Sequence, residues 1–158
     1  MPSQLITHNS QLPTRIAVFP GTFDPFTIGH AALVRRALDI ADELYIAIGI
    51  NMGKHTMFTV EERIERIKEL YADEPRIRVM SYEGLTTDFS QSVGAQFIIR
   101  GVRNTIDFEY ERGIADVNRM LTGIETILLI SEPEYASISS SVVRELAHFG
   151  KDISTYLP

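Results

Sequence analysis

The sequence predicts an α/β fold, a doubly wound five-stranded parallel sheet with helices on both faces. Three observations predict it. Short apolar runs alternate with segments of helical period along the chain. The first run passes through a Gly-containing turn straight into a helix pattern, as a βα unit does. Finally, 158 residues with 44% apolar and 23% charged content suit one domain around one core.

The elements follow in order. Arg15-Ile16-Ala17-Val18-Phe19 is the first strand, and Leu33, Val34, Ala37, Leu38 and Ala41 recur at helical spacing after it. Leu44 to Ile50 is strand two. Thr59 followed three residues later by Glu62 is a capping box, and Ile64, Ile67, Leu70 and Tyr71 give the buried face of the helix it opens. Strand three, Arg76 to Met80, alternates, which predicts one solvated face. A short helix from about Thr87 to Val93 leads to strand four, Phe97-Ile98-Ile99. Asp107 to Met120 is a helix with Phe108, Ile114 and Val117 on its buried side. Ile127 to Ile130 is strand five, and Ser140 to Phe149 the last helix. Strands joined through helices imply right-handed crossovers. In such a Rossmann-like sheet, ligands gather outside the carboxyl ends of the strands, at the switch in strand order.

Residues 15–158 are expected to form this single domain. The polar segment 1–14 lacks the basic start and apolar stretch of a signal peptide and is expected to be a poorly ordered leader. No apolar run reaches membrane-spanning length, so a soluble cytoplasmic protein is expected, without a membrane partner. Net charge is −6, from 15 basic and 21 acidic residues, which excludes a general nucleic-acid footprint. A polyanion site must therefore be local. The absence of cysteine excludes disulfides, thiol catalysis and thiolate metal sites.

Unusual polar residues cluster after the strands. After strand one, Gly21, Thr22, Gly29 and His30 accompany a helix start, where free backbone N–H groups and the positive dipole end attract phosphate. His30 adds a donor or a positive charge there. Asn51 to Thr56 follows strand two. Gly49 to Lys54 is one residue short of a P-loop and no Ser or Thr follows the lysine, so a P-loop is rejected. Lys54 remains a candidate long-reaching phosphate contact, although a solvated surface lysine is the better-supported reading for any lysine taken alone. After strand four, Arg100 and Arg103 flank Gly101 and Val102. Guanidinium groups grip phosphate in a fork, and glycine lets backbone approach a ligand. Pairing of these arginines with Asp107, Glu109 or Glu111 is the weaker reading. After strand five, Ser139, Ser140 and Ser141 exceed the one serine that an N-cap needs. No Ser, Cys or Lys stands beside a general base, so direct transfer between two bound substrates is simpler than a covalent intermediate.

Thr27-Ile28-Gly29-His30 resembles the T/H-x-G-H signature of the nucleotidyltransferases, and Ile138-Ser139-Ser140-Ser141 with Arg144 resembles their second signature. Phe19 to Pro25, Met57 to Arg63, Ile99 to Arg103 and Asp107-Phe108-Glu109-Tyr110-Glu111 are similar to the bacterial phosphopantetheine adenylyltransferase branch, and that likeness runs from Arg15 onward. The resemblance implies a reaction in which ATP, with Mg²⁺, adenylylates 4′-phosphopantetheine to give dephospho-coenzyme A and pyrophosphate. It implies catalytic roles for His30, Lys54 and Arg100, and acceptor contacts from Thr22, Lys54, Thr86 and Arg100. It places ATP against Thr22, Phe23, His30, Gly101, Val102, Arg103, Glu111, Tyr135, Ala136, Ser137, Ile138, Ser139, Ser140 and Ser141. No metal site is expected on the protein itself. A homohexamer and sensitivity to coenzyme A are implied as well. His55 stands where a second lysine is frequent, which implies weaker anion attraction. The alternatives are another adenylyl- or cytidylyltransferase of the superfamily, or a non-catalytic nucleotide sensor on the same fold.

Overall fold

The computed structural model describes residues 12–158, so residues 1–11 of the expected leader lie outside it. Five strands form one all-parallel sheet: β1 (Ile16–Gly21), β2 (Glu43–Gly49), β3 (Ile77–Tyr82), β4 (Phe97–Val102) and β5 (Glu125–Ile130), in the order β3-β2-β1-β4-β5. The helices are α1 (Ile28–Ala37), α2 (Val60–Leu70), α3 (Thr86–Ser92), α4 (Thr105–Thr122) and α5 (Ser140–His148). Each follows its strand, as the alternating pattern predicts. Among the described residues, no helix is long and apolar enough to cross a membrane.

The order doubles back at β1, and right-handed crossovers then place α1 and α2 on one face and α3 and α4 on the other. Alternate strand residues feed two cores. Phe19, Leu44, Ile46 and Ile48 pack with Leu33, Val34 and Ala37 of α1 and Ile67 of α2. Val18 and Ala47 face the other way, against Phe89 and Val93. The predicted capping box opens α2: Thr59 accepts from the Glu62 N–H and Glu62 accepts from the Thr59 N–H. In β3 only Val79 is fully buried, in keeping with one solvated face.

Two expectations need correction. Strand four does not stop at Ile99 but runs to Val102, so Arg100 and Gly101 are strand residues rather than a loop after it. The supposed buried side of α4 is open: Phe108 is 43% exposed, Val117 54% and Met120 85%. Glu111 is the one residue of α4 that is fully buried. Helical periodicity reports that a face is apolar, not what covers it, and in this chain the sheet covers little of that stripe.

The site is opened by a break in strand pairing. β1 pairs with β2 along its whole length, but with β4 only at Ala17↔Phe97 and Val18↔Ile98. Pro20 explains the break. It has no N–H to give to the ladder, and its carbonyl accepts instead from the Arg100 guanidinium. The Arg100 side chain thus stands between β1 and β4, and a crevice lies at the reversal of strand order.

Candidate active site

Two cavities share this crevice. One, of about 290 Å³, is lined by His30, Lys54, Arg103, Tyr135 and Ser139 to Ser141. The other, of about 590 Å³, is lined by Tyr82, Thr86, Ile114, Asn118 and Thr126. Pro20, Gly21, Thr22, Arg100 and Glu111 belong to both walls. The larger one contains an orphan: the buried Thr126 hydroxyl has no partner among the described residues.

His30 is fixed by its own helix start. Thr27 is the N-cap of α1, and the Thr27 N–H donates to His30 Nδ1 at 2.9 Å. Nδ1 is therefore an acceptor, the proton sits on Nε2, and Nε2–H is the nitrogen left for the cleft. Phe23 and Phe26 hold the ring at centroid distances of 5.0 and 5.3 Å. Burial, and then the charges of Arg100 and Arg103, push its pKa down to about 3. His30 is thus a neutral hydrogen-bond donor rather than a cation.

The loop that carries it is tied down from three sides. The Asp24 carboxylate, 1% exposed, accepts the N–H groups of Met57 and Phe58 at 2.7 and 2.8 Å. Arg144 donates to the Asp24 carbonyl, and Arg63 donates to the Thr22 carbonyl. Asp24 and Arg63 enter the sequence motifs without a role of their own; for Asp24 the signal available was a carboxylate between Phe23, Pro25 and Phe26.

The arginines behave differently from expectation. Arg100 makes a bidentate pair with Glu111 through Nε at 2.9 Å and Nη2 at 2.7 Å, and Glu111 is almost fully enclosed. Glu111 holds the Arg100 charge despite its burial, which opposes it. Arg103 pairs with Asp107 at 3.0 Å in a more open position. The acid pairing judged weaker from sequence is thus what this structure contains, and the guanidinium forks are oriented by α4.

Gly101 lines the smaller cavity and also has a packing reason that the sequence did not show. A Cβ there would collide with Leu33 Cδ1 of α1, so glycine serves close helix–strand packing. Gly29 is the position where a side chain meets only ordinary contacts, the nearest being Thr27 Oγ1 at 3.5 Å.

Each of the three serines Ser139 to Ser141 has a structural partner. Ser139 caps α5 by accepting from the Val142 N–H, Ser140 donates to the Pro25 carbonyl, and Ser141 accepts from Arg144. Their number alone therefore no longer points to a ligand. What remains at the two helix starts is a set of N–H groups with no partner among the described residues: Ile28, Gly29, Ser140 and Ser141. The hydroxyl protons of Ser139 and Ser141 are uncommitted as well, since both oxygens only accept. Two helix N-termini facing one cavity make an anion cradle.

Among the residues expected at the site, Thr22, Phe23, His30, Lys54, Arg100, Gly101, Arg103, Glu111, Tyr135, Ile138 and Ser139 to Ser141 line the smaller cavity. Thr86 lines the larger one, where its hydroxyl lies 2.7 Å from Tyr82 Oη. Val102, Ala136 and Ser137 line neither, and Val102 is buried in β4. Sequence reasoning missed Tyr82 and Asn118; Tyr82 ends β3 close before Thr86, which was a usable signal, whereas Asn118 carried no local one. No group of three or more His, Asp or Glu among the described residues could hold a metal ion.

Comparison with known proteins agrees with this architecture. Residues 18–146 match the cytidylyltransferase-like family model. The chain is 60% identical over 144 residues to a phosphopantetheine adenylyltransferase of Bacteroides thetaiotaomicron, covering 91% of this chain and 95% of that one. It is 59% identical over 144 residues to the protein of that name from Phocaeicola vulgatus, with the same coverage. Among solved structures it resembles a bifunctional NMN adenylyltransferase/ADP ribose pyrophosphatase from Francisella tularensis. The TM-score is 0.69 at 16% identity, over 92% of this chain and 45% of that one, a likeness of fold alone.

Proposed function

The chain belongs to the phosphopantetheine adenylyltransferases within the cytidylyltransferase-like family, and from that premise we propose how its cleft works. The protein transfers the adenylyl group of ATP to 4′-phosphopantetheine in coenzyme A biosynthesis. In our reading the triphosphate occupies the smaller cavity, on the N–H groups of Gly29, Ser140 and Ser141, with Arg103, Lys54 and the Ser139 and Ser141 hydroxyls around it. The pantetheine arm occupies the larger cavity, beside Thr86, Tyr82 and the orphaned Thr126 hydroxyl. The single observation that carries this reading is the shared wall. Thr22 and Arg100 face both cavities, so an acceptor phosphate and an α-phosphate can be held on the same residues.

The acceptor phosphate is already an anion and needs no general base, so attack is direct and in line. His30 Nε2–H donates to an α-phosphate oxygen as charge builds there, and Lys54 and Arg103 offset charge on the departing pyrophosphate. Mg²⁺, brought in with ATP, would offset charge on the transferring and departing phosphates. The cleft carboxylates Asp107 and Glu111 are both engaged by arginine.

The test is acceptor dependence. Pyrophosphate should be released from ATP with 4′-phosphopantetheine and not with nicotinate or glycerol phosphates. Release with one of those acceptors, or none with phosphopantetheine, would overturn the reading.

The apolar stripe of Ile106, Tyr110, Val117 and Met120 on α4 supports self-association into the homohexamer of the family. Sedimentation of the native protein as a monomer would remove that proposal. Coenzyme A carries both the adenine nucleotide and the pantetheine arm, so it would compete for both cavities as a feedback ligand. A cytoplasmic location is proposed to accompany this reaction.

A further inference from the structure

A third cavity lies behind the active-site loop and takes no part in the proposed reaction. It encloses about 280 Å³ between the loop after β1, the inner face of α2 and the segment at Leu157–Pro158. Its walls are Phe23, Phe26, Phe58, Ile67, Leu70 and Leu157, with Arg63 at the wall.

Arg63 is the unusual member. It is 4% exposed, yet no carboxylate lies within ion-pair distance of it among the described residues. Nε donates to the Thr59 carbonyl at 3.2 Å and Nη1 to the Thr22 carbonyl at 2.7 Å, whereas Nη2 makes no hydrogen bond. The buried carboxylate of the same loop, Asp24, has both oxygens engaged by Met57 and Phe58. Nη2 is not sealed off, since Thr126 Oγ1 is the one buried side-chain polar atom without a partner among the described residues; a guanidinium held only by neutral carbonyls nonetheless lacks the ion-pair partner that such charges normally have.

We propose that this cavity is a binding site for a small organic monoanion, its carboxylate on Arg63 Nη2 and its apolar body among the phenylalanines. Charge complementarity fixes the anion, and the aromatic walls fix the apolar body. Arg66 lies over the Phe58 ring at 4.2 Å, and Glu69 also lines the cavity. That carboxylate disfavours polyanions, so the site selects a single charge and does not duplicate the nucleotide cleft. Because Arg63 also holds the Thr22 carbonyl, the occupant sits one hydrogen bond away from the active-site loop.

Benzoate and its neutral analogue benzyl alcohol are the probes, titrated into the full chain by amide NMR. Benzoate should give saturable shifts at Phe58 and Leu157 and bind at least about tenfold more tightly than the alcohol, the gain expected of a hydrogen bond to a charged group. Excess ATP should leave that binding unchanged. Leu70→Trp, at a cavity-wall position on α2 that is 41% exposed, should abolish it by filling the space, its fold checked by the dispersion of the remaining amide signals. Equal affinity for acid and alcohol, absence of saturable shifts at millimolar benzoate, displacement by ATP, or full binding to Leu70→Trp would each overturn the proposal.

Discussion

Replacing His30 with alanine will lower turnover by about 10²–10³-fold, the usual effect of losing one donor to a developing charge. ATP affinity should change little, because the helix-start N–H groups remain. Stability will fall too. The Thr27 N–H, on a residue with 1% exposure, loses its acceptor, which costs about 1–3 kcal/mol. His30→Asn separates the two effects: its side-chain oxygen can still accept from Thr27, so stability should recover while turnover stays low. Near-normal turnover in either variant would remove His30 from the reaction. The depressed pKa adds a pH signature. Above about pH 6.5 the imidazole is neutral in both folded and unfolded chains, and its contribution to stability is fully present. As pH falls from there toward 3, the unfolded chain takes up a proton that the folded one refuses, so stability is lost across that window. Urea unfolding of wild type and His30→Asn at several pH values should show this component only in the wild type. Turnover, by contrast, should show no ionisation of His30 between pH 5 and 8.

The second large effect is at Arg100. Arg100→Ala strands the Glu111 carboxylate, whose side chain is 7% exposed, and unpairing a buried charge costs about 3–5 kcal/mol. Arg103→Ala should cost below about 1 kcal/mol, since its pair with Asp107 is more open to water. The kinetic defects should divide as well. Arg100→Ala should raise KM mainly for phosphopantetheine, by roughly ten- to a hundredfold, and Arg103→Ala should raise KM mainly for ATP. The double variant Arg100→Met, Glu111→Leu should regain most of the lost stability and none of the activity. Matching KM changes for both substrates in both single variants would refute the division.

These two pairs mark where sequence was informative and where it was not. The strand and helix succession was legible because each element carries its own period, and the Thr59–Glu62 capping box because its signal spans four residues. The site at the strand ends was legible because a parallel sheet gathers its loops there. Distances between distant residues were not. Nothing local in Arg100 or Glu111 says that they meet, and only the placement of α4 against β4 brings them together. Gly101 carries the same lesson, since the Leu33 it packs against lies on another element. Pro20 was read as part of a motif, whereas its lack of an N–H bears on how far β1 and β4 can pair. The open stripe on α4 was misread because an apolar helix face looks the same whether the chain itself or a second subunit will cover it.

Asp24 has a mechanical consequence. It pins Met57 and Phe58, while the Ile50 N–H is held by the Tyr82 carbonyl on the other side. The Lys54 segment, 51–56, is therefore tethered at both ends. Its contour is limited to roughly 20 Å by backbone geometry, so Lys54 is kept at the mouth of the cleft. Amide exchange should be fast at His55 and Thr56, whose N–H groups have no partner among the described residues, and abruptly slow at Met57 and Phe58.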